Sequence, residues 1–146
     1  MMEGLGRLFN VVPNAGGTLI SLKDAAGITF VCSATTDPET FTVNSAATYN
    51  GSTSTLTAIT RYYTNTSQAG AAQWTDSGDI AAVDNVVVAA GDSVAFYIDA
   101  SDLPAGAEYV EVAVTGSGTG VALAITGDLL TQRTPANLRA LSGASS

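Results

Sequence analysis

Hydrophobic and polar residues alternate along most of this chain with a period of two. Every second side chain is apolar in residues 93–99, and residues 39–44 and 109–115 repeat the pattern. Successive side chains of a β-strand point to opposite faces, so this period predicts strands that are buried on one side. Within residues 120–126 the large apolar side chains also share one face, and we expect that face to be the buried one.

Turn-forming residues separate these alternating stretches about every ten positions. Nine strands are predicted, at residues 18–22, 28–33, 39–44, 54–64, 73–76, 85–89, 93–99, 109–115 and 120–126. The first two flank a turn signal at residues 24–27, which predicts a hairpin. The whole pattern indicates an all-β fold, an antiparallel β-sandwich or a jelly-roll-like barrel of about eight or nine strands with N- and C-terminal arms.

The 146 residues are enough for one domain with a sizeable core. We divide the chain into an N-terminal arm (1–17), a β-sandwich body (18–128) and a C-terminal arm (129–146). Residues 5–12 are apolar without a clear period. In the C-terminal arm, Thr134 and Pro135 suit the start of a helix, which predicts a short helix over residues 135–141.

Charge is distributed unevenly along the chain. Residues 1–23 carry a net charge of +1, residues 24–132 carry −11, and residues 133–146 carry +2, which gives −8 in total. The acidic balance argues against direct nucleic-acid binding, because phosphate contacts need clustered Lys and Arg. Histidine is absent, so the usual general base near neutral pH is missing. The sequence therefore favours a protein that docks over an enzyme.

Other features bound the cellular context. No run of 18 apolar residues predicts a membrane span. Residues 1–6 lack the pattern of a signal peptide, so we expect synthesis in the cytoplasm without processing. The single cysteine, Cys32, excludes an intramolecular disulfide. It lies on the apolar face of its strand, which predicts a buried structural thiol.

Carboxylates are the remaining candidates for chemistry. Two loose groups, Asp76 with Asp79 and Asp84, and Asp92 with Asp99 and Asp102, contain oxygen ligands that suit Ca²⁺. Their spacing matches no EF-hand loop, and Asp beside Gly is also a turn-forming pair. No pair stands out for glycoside hydrolysis. We therefore expect no metal, no cofactor and no catalytic residue.

Aromatic side chains offer a second kind of site, a platform on which sugar rings stack. Tyr62 and Tyr63 are adjacent on a strand and must face opposite sides, so they cannot share such a platform. Core and cross-strand packing is the favoured interpretation for the aromatic residues. The set comprises Tyr49, Tyr62, Tyr63, Trp74, Tyr97 and Tyr109.

The two arms carry apolar and basic side chains outside the alternating strands. They are candidates for contact with a partner through apolar anchors, added strand pairing and ion pairs. The alternative is that both arms fold back on their own sandwich. The predicted contact residues are Leu5, Arg7, Leu8, Phe9, Arg133, Pro135, Leu138, Arg139 and Leu141.

Residues 91–109 (GDSVAFYIDASDLPAGAEY), the strand at 110–114 and the tail at 131–138 (TQRTPANL) resemble one family. These are capsid decoration, or cement, proteins of tailed bacteriophages that infect actinobacteria. The resemblance implies a structural virion protein on the capsid exterior, often a homotrimer, that binds the major capsid protein and stabilises the shell. It implies no catalytic residues. Two alternatives remain open, a carbohydrate-binding β-sandwich module and a phage tail component.

Overall fold

The computed structural model describes residues 11–14, 17–67 and 72–129. They form two antiparallel β-sheets that pack face to face and do not close into a barrel. This confirms the all-β prediction and selects the sandwich over the barrel.

In chain order, the elements are β1 (Val11–Pro13), β2 (Ile20–Ser21), β3 (Ala25–Ala34), β4 (Glu39–Ala46), β5 (Ser54–Thr55), β6 (Tyr62–Asn65), β7 (Thr75–Asp76), β8 (Asn85–Val88), β9 (Ser93–Asp99), a 3₁₀ turn (Ala100–Asp102), β10 (Tyr109–Gly116) and β11 (Gly120–Leu129). The larger sheet has six strands in the order β1-β11-β3-β9-β6-β7. The smaller sheet has five, in the order β2-β10-β4-β5, with β8 also paired to β4.

The predicted hairpin at the start of the body is wrong. β2 pairs with β10 in the smaller sheet, whereas β3 lies between β11 and β9 in the larger one. The chain changes sheets at Asp24, which has a φ of 60°. Aspartate tolerates this left-handed conformation better than most residues. The signal at residues 24–27 therefore marks a crossover between sheets.

The long strand predicted at residues 54–64 is likewise divided between the sheets. β5 pairs with β4, and β6 pairs with β9. Between them, Ile59 forms an isolated bridge with Val83. One predicted strand therefore becomes two short ones.

Aromatic and aliphatic side chains from both sheets fill the space between them. Phe30 and Phe96 come from neighbouring strands of the larger sheet, with ring centroids 5.7 Å apart. Phe41 of the smaller sheet is fully buried as well. Such large side chains leave little volume on adjacent strands of a close-packed interior.

That volume limit decides which face of β11 is buried. Ala122 and Ala124 point into the core, and Ala124 is paired with Phe30 in the register. Val121, Leu123 and Ile125 point outward and are exposed. The expectation that the large side chains of this strand form its buried face is therefore wrong, because the small residues fit against the aromatic core.

Part of the predicted N-terminal arm belongs to the sandwich. β1 pairs with β11 at the edge of the larger sheet. Asn14 follows it and is fully buried. Its backbone N–H donates to Ala122 O (2.8 Å), and its side-chain Oδ1 accepts from Val112 N–H of the smaller sheet (2.9 Å). Asn14 therefore links the two sheets, and residues 11–14 fold back on their own body.

Candidate docking face

The outer face of the smaller sheet carries mostly small and polar side chains, as a sheet face in contact with water normally does. Outward positions on β4 are Thr40, Thr42 and Asn44, and those opposite on β10 include Ala113 and Thr115. Small and polar side chains of this kind are compatible with water. Val87 on β8, 66% exposed, is the one large apolar exception among the described residues.

The outer face of the larger sheet is different. Eight large apolar side chains are exposed in the described part of the chain, and seven of them lie on this surface, which we call the apolar face. Each of the seven is 37–47% exposed. They are Val11, Tyr63, Trp74, Tyr97, Val121, Leu123 and Ile125. An apolar surface that the described residues leave uncovered indicates an interaction site.

Strand register brings four of these side chains together at one side of the sheet. Val11 on the edge strand β1 is paired with Ile125 on β11. Leu123 and Val121 follow on the same face of β11, at intervals of two residues. We call these four the aliphatic half. No charged residue occurs in β1, in β3 or in residues 120–127 of β11.

The other three form the aromatic half, across β9, β6 and β7. Tyr63 is paired with Ala95 on one side and Asp76 on the other. Tyr97 lies two residues beyond Ala95, and Trp74 two residues before Asp76. The backbone positions of the three therefore follow one diagonal of the sheet. Tyr62, by contrast, packs against the core, so the opposite orientations expected for Tyr62 and Tyr63 are confirmed.

Tyr97 covers a bare part of the apolar face. Gly27 of β3 and Gly127 of β11 are paired with each other. A Cβ atom on Gly27 would collide with the hydroxyl end of Tyr97, and one on Gly127 would lie 3.9 Å from the ring. The tyrosine ring thus shields backbone that the two glycines leave uncovered, as cross-strand aromatic residues do elsewhere.

Arg61 is held beside the aromatic half. Its Nε donates to Asp76 Oδ1 (2.9 Å), its Nη2 also bonds Asp76, and its Nη1 donates to Asp79 (3.4 Å). The guanidinium carbon lies 5.9 Å from the Tyr63 ring centroid. The hydrogen bond from Arg61, with that from Gly78 N–H, lowers the pKa of the Asp76 carboxyl. Arg61, one of the two cations among the described residues, is therefore fixed on this surface.

Four of the six carboxylates considered for calcium have other partners. Asp76 and Asp79 bind Arg61, and Asp84 accepts a hydrogen bond from Asn85 (2.6 Å). Asp99 accepts from Ser101 N–H and Oγ at the start of the 3₁₀ turn, which lowers the pKa of Asp99. Across the described ranges, no three His, Cys, Asp or Glu side chains are arranged to hold a metal ion.

Cys32 is fully buried, as predicted. Burial raises the pKa of its thiol to about 12. The thiolate that nucleophilic chemistry requires is therefore scarce at neutral pH. This side chain acts as part of the core.

The contact residues predicted in the arms lie outside the described residues, at positions 1–10 and 130–146. The helix predicted at 135–141 lies outside them as well. Their roles remain predictions. The apolar face was missed by sequence reasoning. One signal in the sequence was the alternation of small residues at 122 and 124 with large ones at 121, 123 and 125, since either set could form the buried face.

Comparison of the chain with known protein families, with curated proteins and with solved structures finds no match. In the part of the chain that the structure describes, no helix has the length and apolar character needed to cross a membrane.

Proposed function

We propose that this chain is a structural virion protein, a capsid decoration protein that binds the outer surface of a shell built from a major capsid protein. The observation that carries the proposal is the apolar face, which gathers seven of the eight exposed large apolar side chains of the described residues. The resemblance of residues 91–114 and 131–138 to decoration proteins supports the same function. The aliphatic half is the part of the face that we assign to docking.

The absence of charge on the aliphatic half suits an acidic protein that must approach another protein closely. The described residues contain twelve carboxylates and two cations, Lys23 and Arg61. Charges trapped in an interface without partners are costly. A contact through the aliphatic half avoids that cost, since neither β1 nor β3 brings a charge into it.

The magnitude of this contact argues for binding by several copies together. The four exposed parts add up to less than two fully buried side chains. At about 1.5–3 kcal/mol for each buried side chain, the gain is about 3–5 kcal/mol. Association itself costs on the order of 4–15 kcal/mol. One copy therefore binds weakly through this surface, and we propose that a homotrimer and the two arms supply the rest through avidity.

Binding to capsids that lack this protein tests the proposal. Leu123→Asp places a charge in the centre of the aliphatic half, and we expect co-sedimentation to fall at least tenfold. Val87→Asp is the matched control, since Val87 is exposed on the opposite sheet, and it should bind normally. Equal binding by both variants would refute docking through this face.

The arms require their own variants. Deletion of residues 1–10 or 133–146 removes the predicted anchors and leaves β1 and β11 intact. We expect each deletion to weaken capsid binding while circular dichroism of the body stays unchanged. Normal binding by both would exclude a role for the arms. Electron microscopy of the bound protein separates threefold positions on a shell from the sixfold or fibrous symmetry of a tail component.

A further inference from the structure

We infer that the aromatic half of the apolar face, together with Arg61, is a binding site for uncharged saccharides. This activity is separate from docking, because it uses β9, β6 and β7 instead of β1 and β11. It explains why Tyr63, Tyr97 and Trp74 remain exposed, although the sequence favoured core packing for the aromatic residues.

The arrangement of Trp74 and Tyr63 suits consecutive sugar units. Diagonal neighbours on adjacent strands lie about 7–8 Å apart. The register makes Trp74 and Tyr63 such neighbours, and these two rings form the aromatic row. The Tyr97 ring turns the other way, over Gly27 and Gly127, and borders the row on the far side of β9. Sugar rings have a face of C–H groups that packs on an aromatic ring, so the row fits a short stretch of an oligosaccharide.

Polar groups beside the row match the hydroxyls at the rim of a sugar. A guanidinium has five N–H donors. Three are engaged with Asp76 and Asp79, which leaves others for a ligand. Asp76 fixes the orientation of the Arg61 guanidinium through two hydrogen bonds. Asp79, whose side chain is 91% exposed, offers carboxylate oxygens as acceptors. Donors and acceptors are thus held in place beside Tyr63 before a ligand arrives.

Charge selects the class of saccharide. One cation, Arg61, and three carboxylates, Asp76, Asp79 and Asp99, lie on or beside this part of the face, in a body that is acidic as a whole. An anionic polysaccharide would meet repulsion from these carboxylates. A neutral glycan meets none, and its affinity should depend little on salt because no ion pair forms.

Binding of the full chain to a panel of neutral hexose oligosaccharides, with cellohexaose and maltohexaose in solution and hyaluronan as the acidic probe, tests the inference. We expect weak binding to at least one neutral probe, with little salt dependence. Trp74→Ala should weaken it about tenfold or more, as removal of an aromatic anchor does at other interfaces. Tyr63→Phe keeps the ring and should retain most of the affinity.

Two controls separate this site from the docking surface. Val87→Ala changes an exposed apolar residue on the other sheet and should leave glycan binding unchanged. Leu123→Asp should impair capsid binding alone, and Trp74→Ala glycan binding alone. Absence of binding to every neutral probe, or equal affinity of Trp74→Ala and the unaltered chain, would overturn the saccharide site without affecting the docking proposal. Preference for hyaluronan would overturn it too.

Discussion

Asn14 offers the sharpest test of how the two sheets are held together. Strand β2 pairs with only Tyr109 and Val110 of β10. The next amide on that side, Val112 N–H, donates instead to Asn14 Oδ1. The Asn14 side-chain amide also donates to Thr18 O. The Asn14 side chain therefore supplies the hydrogen-bond acceptor that a longer β2 would have given to this part of β10.

Asn14→Ala removes both side-chain hydrogen bonds and keeps the backbone bond to Ala122 O. A buried polar group without a partner costs about 1–3 kcal/mol. Val112 N–H is enclosed, whereas Thr18 O is only partly buried and can bind water. We therefore expect the free energy of unfolding to fall by about 2–4 kcal/mol. A domain stabilised by about 5–15 kcal/mol still folds after such a loss.

Urea denaturation followed by circular dichroism measures this change. Asn85→Ala is the matched control, because the Asn85 side chain bonds only its neighbour Asp84 at the partly exposed start of β8. It should cost less than about 0.5 kcal/mol, as most surface substitutions do. Hydrogen exchange of the Val112 amide should accelerate in Asn14→Ala. An equal, small loss in the two variants, with unchanged m-values, would refute the assigned role of Asn14.

Two further predictions concern the core and the apolar face. The folded state holds the Cys32 pKa at about 12 against an ordinary value of 9.0, so stability is complete below pH 9 and decreases as the unfolded thiol ionises. Urea titrations should show that the free energy of unfolding is about 1.4 kcal/mol lower at pH 10, and Cys32→Ala should lack this loss. An equal loss in Cys32→Ala would contradict the prediction. Gly27→Ala should lower the free energy of unfolding by about 1–3 kcal/mol, because its methyl group collides with the Tyr97 side chain and with the Ile98 carbonyl oxygen. Gly127→Ala, with ordinary contact at 3.9 Å, should cost clearly less, and equal losses in thermal melts would contradict the close packing over Gly27.

The positions of the strands were accessible from the sequence because alternation is a local property. Ser93–Asp99 is a strand with the bounds that its pattern predicted, and β4, β8 and β10 differ by only one or two residues at one end. The pairing of β2 and β3 with different sheets was not accessible, since one residue at positive φ, Asp24, changes the direction of the chain. Local turn signals do not reveal which strand lies beyond the turn.

The apolar face was not accessible for another reason. Alternation identifies two faces of a strand, but the burial of one or the other depends on the volume offered by its neighbours. On β11 that neighbour is Phe30, which favours Ala124 inside and Ile125 outside. The aromatic half likewise depends on which strands pair, β6 with β7 and β6 with β9, and alternation does not show this. The sequence analysis considered a sugar platform among six aromatic residues that include Tyr63, Trp74 and Tyr97, but it favoured core packing for them.

The pairing of β1 with β11 also decides how the body would respond to mechanical force. The strands are antiparallel, so Val11, at the start of β1, and Leu129, at the end of β11, lie toward the same end of the sheet. A force that pulls Val11 and Leu129 apart would load the hydrogen bonds between β1 and β11 one after another. Three residue pairs in series resist such a pull poorly. A copy that carries tension is therefore strongest when the load enters through the sheet face and spreads across the strands.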